Sequence, residues 1–269
     1  MPVFDDTQDP MELIKLHLLA LGLTMPRFLG MVIILPVFAR LGLSGLLRSA
    51  VVVVLCFPVV PLVAAQLEVA GTPGLGEMAA VVIKELLIGL VLGVLFGLPF
   101  WGIEAAGDVL DFYRGSSAAY LIDPTAASEA SILGTFFVLV MMTLFFLAGG
   151  FLLILQGVYQ SYGIWPTLDF TPRLTDASLG YFLGMLDKVM TLAMLFAAPL
   201  LIAMFMGEFA IAMVSRFAPQ INVLELSLAV KNLILVLILP VYGVFALDHF
   251  REVIAPYRNA LDGLRVFLE

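Results

Sequence analysis

A cluster of charged side chains follows a strongly apolar stretch in the middle of the chain, and it is the part of the sequence most suited to chemistry. Glu104, Asp108, Asp111 and Arg114 stand four, three and three residues apart, so in a continuous helix they share one side. Charges within an apolar segment are costly unless they face protein, water or a pore. Two interpretations stay open on residue chemistry alone: a helix end whose charges are solvated, or a pathway for an ion or a larger substrate.

The helix that precedes this cluster carries a stripe of glycines. Gly89, Gly93 and Gly97 recur at intervals of four residues within an apolar helix predicted from about Met78 to Ile103. Small residues at this spacing form a flat face against which another backbone packs closely, the usual way in which helices associate inside a membrane. The partner is either another helix of this chain or a helix of a second subunit.

Composition defines the class of protein. Apolar residues make up 62% of the chain, charged residues 13%, and the mean hydropathy is +1.10, which is more apolar than a soluble domain. We therefore predict an all-α polytopic integral membrane protein of kinked helices and helical hairpins. A net charge of −8 argues against nucleic-acid binding, which needs a basic face.

No catalytic, metal or cofactor motif accompanies the charges. The sequence contains no phosphate-binding Gly-rich loop, no His-Glu-x-x-His and no Gly-x-Ser-x-Gly. His17 and His249 are too few and too far apart to indicate a zinc site without help from carboxylates, and Cys56, the single cysteine, allows no intramolecular disulfide. We predict a protein that is not an enzyme and that carries no cofactor or metal.

Prolines mark the expected irregularities in the first half of the chain. Pro26 predicts a kink or a break in the first helix. Pro58 and Pro61 predict distortion in the second half of an uncharged span over Ser49–Gln66.

The uncharged run Ala130–Leu168 is too long for one span of roughly 20 residues. Gly149 and Gly150 lie near its middle. The run forms either one long tilted helix followed by a short one, or a hairpin that turns near the glycines.

Near the C-terminus, the segment Phe217–Asn222 predicts a turn, because proline disfavours helix in the residue before it. Its turn residues are Pro219, Gln220 and Asn222. A last helix is predicted from about Leu224 to Leu247, followed by an amphipathic tail over 248–269. Glu208 and Arg216, eight residues apart, each cap their own helix end or meet another helix.

The basic residues raise a question of topology. They concentrate in two flanks, Arg40 with Arg48 and then Arg251, Arg258 and Arg265, and the positive-inside rule places both flanks in the cytoplasm. Six ordinary spans put the flanks on opposite sides. Either the run 130–168 contains an additional crossing, or the helices are not ordinary spans and sit within a larger assembly.

An ordered set of motifs covers nearly the whole chain. The motifs are IEAAGD at 103–108, Arg114-Gly115, Asp123-Pro124, Leu133-Gly134, FFLAGG at 145–150, Ser161-Tyr162, Trp165-Pro166 and RFAPQIN at 216–222, with Lys231 downstream. This set resembles the FliR/SctT export-apparatus family of flagella and type III secretion systems. Arg114-Gly115, and Phe151 after the glycine pair, favour the injectisome branch, SctT, over flagellar FliR. Asp111-Phe112-Tyr113 departs from the Asp-Asn-Gln that many injectisome members place before Arg-Gly.

The resemblance implies a structural and gating subunit. One copy of the chain would stand in a helical, cone-shaped core with SctR-like and SctS-like subunits, contacted by an SctU-like protein, in the bacterial inner membrane. The core would rise toward the periplasm, and exported unfolded proteins would pass through it. Residues 1–247 would form the export-gate domain, and the tail 248–269 would lie in the cytoplasm.

In this family the loop after the glycine-rich helix plugs the entrance of the channel, which places the plug at about 111–128 of this sequence. The implied plug residues are Asp111, Phe112, Tyr113, Arg114, Gly115, Ser116, Ser117, Asp123 and Pro124. Polar support would come from Glu104, Asp108, Glu208 and Arg216, and helix packing from Gly89, Gly93, Gly97, Gly149 and Gly150. A competing hypothesis is a self-contained secondary transporter in which Asp108, Glu104 or Glu208 binds a proton or an ion.

Overall fold

The computed structural model describes residues 10–42, 45–115, 131–170, 176–218, 220 and 222–254. The regular elements of these residues are helices, and five of them are long and apolar enough to cross a membrane, or six spans if one broken pair counts as a span. The predicted all-α polytopic membrane fold is confirmed. In chain order the helices are α1 (Pro10–Ile34), α2 (Pro36–Arg40), α3 (Gly45–Cys56), α4 (Val60–Ala70), α5 (Leu75–Tyr113), α6 (Ile132–Leu147), α7 (Gly150–Ile164), α8 (Asp176–Ser215) and α9 (Val223–Ile254).

The first helix does not break at Pro26. Helix α1 continues through this proline, which membrane helices tolerate when neighbouring groups hold the chain in place. The break comes instead at Leu35, whose ψ of 120° is extended. Because Leu35 precedes Pro36, it is driven out of the helical region, and Pro36 then starts α2.

The prolines of the second span act as predicted. Between α3 and α4 the residues Phe57–Val59 form a single 3-10 turn around Pro58. The two helices and this turn together make one candidate span, Gly45–Ala70.

The glycine-rich helix is longer than predicted. Helix α5 does not end near Ile103 but runs to Tyr113, since no further proline occurs between Pro99 and Gly115. Glu104, Asp108 and Asp111 therefore lie in one continuous helix and share one side of it.

The long uncharged run divides at its glycines. Helix α6 has 16 residues and α7 has 15, which excludes one long helix followed by a short one. Gly149 adopts a φ of +74° that favours glycine, and a Cβ on Gly150 would collide with the ring of Phe145. The broken pair α6–α7 can be read as one broken span or as a re-entrant segment.

The last helix exceeds its predicted limit. Helix α8 spans Asp176–Ser215, and α9 continues past Leu247 to Ile254. Gln220 and Asn222 lie between them, whereas Pro219 lies outside the described residues, so the predicted turn stays a prediction.

The described chain divides into two compact units. The first takes in described residues of Met1–Gly97 and Phe151–Gly180, and the second takes in those of Leu98–Gly150 and Tyr181–Arg258. In the first unit the glycine stripe packs against α1: a Cβ on Gly89 would collide with the carbonyl oxygen of Arg27, and one on Gly93 would lie 3.0 Å from the Met31 carbonyl oxygen. Gly97 is also buried. The partner helix of Gly89 and Gly93 thus belongs to the same chain.

Candidate functional site

The end of α5, in the second unit, brings together most of the predicted polar residues. The helix stops at the Arg114-Gly115 motif, where Gly115 adopts a φ of +83°. A left-handed glycine just past the last turn is a common helix stop. A Cβ at Gly115 would also meet the terminal methyl of Leu228 on α9, which can shift, so the backbone conformation is the main reason for glycine here.

Asp111 is the most heavily bonded residue of this end. It is only 4% exposed. One carboxylate oxygen, Oδ1, accepts from Nε of Arg114 at 2.6 Å, and the other, Oδ2, accepts from Oγ of Ser131 at 2.7 Å and from the backbone N–H of Leu133 at 3.0 Å. Three donors to one buried carboxylate offset the loss of its hydration.

Asp111 thereby caps the start of the next described helix. Ser131 is the N-cap of α6 and its Oγ accepts from the N–H of Gly134 at 2.8 Å, while Asp111 accepts the neighbouring N–H of Leu133. A serine and a carboxylate together satisfy the free N–H groups of a helix start and complement its dipole. Because Ser131 follows the stretch 116–130, a single carboxylate ties together the two ends of that stretch.

Close backbone packing reinforces the same junction. A Cβ on Gly107 would collide with the backbone of Gly134, and one on Gly134 would collide with a carboxylate oxygen of Asp108. Gly107 and Gly134 both belong to the motifs singled out in the sequence.

Helix α9 holds the last turn of α5 from another side. Nη1 of Arg114 donates to Oδ1 of Asn232 at 3.1 Å, and the amide of Asn232 is oriented by donating to the Leu228 carbonyl at 2.9 Å. Lys231, the preceding residue, forms an ion pair with Glu208 on α8 at 3.0 Å. The hydroxyl of Tyr113 donates to the same oxygen of Glu208 at 2.8 Å.

The predicted site residues are only partly assembled. Among the residues predicted to give polar support, Glu208 belongs to the cluster and Glu104 is half-buried on α5. Arg216 is exposed in the turn after α8. Asp108 and Phe112 are exposed, with Phe112 at 76%. Asp111, Phe112 and Tyr113 belong to the helix, whereas Ser116, Ser117, Asp123 and Pro124 lie outside the described residues.

The sequence prediction missed several partners in this cluster, namely Ser131, Asn232 and the role of Lys231. A lysine inside a long apolar helix is itself the signal that could have found Lys231, because an intramembrane charge needs a partner.

A second polar cluster, in the first unit, was also missed. Arg27 and Glu85 are both fully buried. Nε and Nη2 of Arg27 donate to the two carboxylate oxygens of Glu85 at 2.6 and 2.9 Å, a bidentate pair. Nη1 donates to Ser161 at 2.8 Å, and the guanidinium lies 3.8 Å from the ring centre of Tyr162.

Lys84 extends this cluster to the chain that follows α7. Its ammonium donates to the carbonyls of Pro166, Thr167 and Asp169 at 2.9, 2.6 and 3.0 Å, and it lies 3.1 Å from Glu85. The Ser161-Tyr162 and Trp165-Pro166 motifs thus surround one buried charge cluster, since Nη2 of Arg27 also donates to the Trp165 carbonyl at 3.0 Å.

No group of three or more metal-binding side chains occurs among the residues that the structure covers. Both clusters are made of ion pairs and hydrogen bonds.

Comparison with known proteins decides the family. Residues 18–256 match the family described as bacterial export proteins, family 1. The chain belongs to this family. It is 36% identical over 241 residues to Yop proteins translocation protein T of Yersinia pestis, covering 88% of this chain and 91% of that protein.

Other relatives of this export protein span both branches of the family. Secretion system apparatus protein SsaT of Salmonella typhimurium is 29% identical over 237 residues, covering 87% of this chain and 90% of the relative. Flagellar biosynthetic protein FliR of Bacillus subtilis is 30% identical over 184 residues, covering 66% of this chain and 71% of the relative. The FliR/SctT resemblance is confirmed, with the injectisome branch matching more of the chain than the flagellar branch.

The family is one of export-apparatus components and not of enzymes. With five helices able to cross a membrane among the described residues, this export protein is an inner-membrane component of a type III export apparatus.

Proposed function

We propose that this export protein is the gating subunit at the entrance of a type III secretion channel, with the segment of about 111–128 closing the channel at rest. The single observation that carries the proposal is the bonding of Asp111, which ties the end of α5 to the start of α6. A bond between the two ends of a segment restrains that segment, so loss of the bond would let the segment move. Its movement would open the path for an unfolded protein.

The lengths of α5 and α8 support a core raised out of the membrane plane. At 1.5 Å per residue, helices of 39 and 40 residues are about 58 and 60 Å long along their axes. The hydrocarbon core is about 30 Å thick, so a straight helix of that length would fit inside it only at a tilt of about 60°, beyond the usual range. We infer that parts of both helices stand outside the bilayer, and we propose from the family resemblance that they do so on the periplasmic side.

The poor internal burial of the last helices supports a hetero-oligomer. Only 28% of the candidate span in α8 and 11% of that in α9 is buried within the chain. Glu208 interrupts this surface with a side chain that is 39% exposed, and a half-exposed carboxylate is costly against lipid. SctR-like and SctS-like subunits, with an SctU-like protein, are the partners that we propose to cover it.

The test is the ion conductance of the assembled complex after deletion of residues 115–119. Removing the helix stop and the start of the closing segment should raise conductance well above the closed level while assembly persists. The matched control replaces Asp187 with asparagine, since Asp187 is exposed on α8 and bonds to nothing in the cluster. Conductance at the closed level in assembled deletion complexes would refute the plug.

A self-contained secondary transporter remains the alternative, and the exposed carboxylate of Asp108 is the observation that favours it. That function requires transport by the purified chain alone in liposomes. The export function predicts no transport without partner subunits, and a detergent-extracted complex whose native mass greatly exceeds that of the chain. A monomer or a symmetric dimer that transports by itself would favour the transporter.

A further inference from the structure

Tyr113, Glu208 and Lys231, here called the α5 latch, come from three different helices and meet at the last turn of α5. We propose that the α5 latch is a positioning device that keeps the end of α5 in its closed arrangement, with Lys231 as its central residue. This inference rests on the proposed gating function and assigns to Lys231 a role that the family motifs leave open.

The geometry places one ammonium group between two acceptors on different helices. Nζ of Lys231 lies 3.0 Å from Oε2 of Glu208 and donates to the backbone carbonyl of Tyr113 at 3.3 Å. It also lies 4.4 Å from the centre of the Tyr113 ring. A cation at the last carbonyls of a helix is favourable because it complements the helix dipole.

The hydroxyl of Tyr113 completes the arrangement by donating to the same Glu208 oxygen at 2.8 Å. Tyr113 is therefore held at its backbone by α9 and at its side chain by α8. The residues that follow Tyr113 and Lys231 are also bonded to each other, since Arg114 donates to Asn232 at 3.1 Å. A shift of α9 along its axis would thus release both Tyr113 and Arg114.

The two side chains of the Lys231–Glu208 ion pair are buried to different extents, and this difference decides which of them can be substituted without endangering the fold. The Lys231 side chain is 9% exposed and the Glu208 side chain 39%. Removing Glu208 would leave a buried ammonium without its counter-charge, which endangers folding. Removing Lys231 leaves a carboxylate that is less buried and that still accepts a hydrogen bond from the hydroxyl of Tyr113, so Lys231→Met should fold.

The experiment measures ion conductance in assembled complexes that carry Lys231→Met or Tyr113→Phe, with the 115–119 deletion as a positive control. Losing the charged contact should raise the open fraction about tenfold, the effect of roughly 1.4 kcal/mol in an equilibrium. Tyr113→Phe removes one hydroxyl donor and should give a smaller rise. Lys231→Arg keeps the charge and its donors and should restore closure, which distinguishes positioning from simple packing. Lys15→Met, an exposed lysine on α1, is the matched control and should stay at the closed level.

The outcomes separate this inference from the function on which it rests. If the 115–119 deletion raises conductance while the Lys231→Met and Tyr113→Phe complexes stay at the closed level, the latch is overturned and the plug is not. If complexes with the deletion stay at the closed level, both the latch and the plug are overturned. Equal leakage from Lys231→Met and Lys231→Arg also overturns the latch, because it shows that charge at this position is irrelevant. Should Lys231→Met fail to assemble, Tyr113→Phe alone decides: a rise above the Lys15→Met level supports the latch, and the closed level overturns it.

Discussion

Buried charges in this chain occur as bonded groups whose members come from different helices. Arg27 is satisfied by Glu85, Ser161 and the Trp165 carbonyl, and its guanidinium stacks on Tyr162. Such a pair adds little net stability compared with a well-packed apolar replacement, but breaking it leaves an uncompensated buried charge. The pair therefore acts mainly to fix which helices meet and in what register.

Glu85→Gln should lower the free energy of unfolding by about 3–5 kcal/mol, because it leaves the buried guanidinium of Arg27 facing a neutral amide. Denaturant titration of the detergent-purified chain measures this change. Glu12→Gln makes the same substitution at an exposed position of α1, and should change stability by less than about 0.5 kcal/mol. Equal effects of the two substitutions would show that the pair does not organise the first unit.

At this scale the sequence indicates the charged residues but not their partners. Asp111, Arg114 and Gly115 are predictable from spacing and turn chemistry, because they act within one helix end. Asn232 and Lys231 lie more than 100 residues from Arg114 and Tyr113, and only the tertiary fold brings them together. The same holds for Arg27 and Glu85, which are 58 residues apart.

Among the elements, a proline does not by itself set a helix boundary. Pro26 and Pro99 lie inside α1 and α5, whereas Leu35, immediately before Pro36, leaves the helical conformation. The sequence predicts a kink or a break at Pro26 but misses the break before Pro36, because both prolines carry the same local signal. It leaves two paths open for 130–168, and the structure has the one that turns near Gly149, where a left-handed backbone conformation strongly favours glycine.

Gly89→Ala tests the close packing of α5 on α1. The new Cβ would collide with the carbonyl of Arg27, so backbone separation should cost about 1–3 kcal/mol and should also strain the Arg27–Glu85 pair. Gly22→Ala is the matched control, since a Cβ there meets nothing within 4 Å and alanine favours helix by about 1 kcal/mol. Thermal unfolding in detergent should show opposite shifts, and a neutral Gly89→Ala would refute the packing role.

The number of crossings decides the conflict between the two basic flanks. If the five candidate spans among the described residues are the segments that cross, four crossings separate Arg40 and Arg48 from the basic tail, and both flanks fall on the same side, as the positive-inside rule requires. A crossing by the broken pair α6–α7, which is also a candidate span, would place the flanks on opposite sides.

Reporter fusions test this topology. A reporter inserted at residue 42 and one placed after residue 269 should both be active in the cytoplasm, and one at residue 72, between α4 and α5, should be active in the periplasm. If the fusions at 42 and 269 report opposite sides, then α6–α7 crosses the membrane and the five-span topology is wrong.

We propose that one carboxylate, Asp111, keeps the channel closed by tying the end of α5 to the start of α6. The most direct test of this proposal is the ion conductance of assembled complexes carrying Asp111→Asn. The amide keeps the size of the side chain but presents a donor where donors already converge. Loss of about 2 kcal/mol from the closed state should raise the open-to-closed ratio about thirtyfold, while Asp187→Asn stays at the closed level. Asp111→Asn complexes that assemble fully and stay as closed as the wild type would contradict the account.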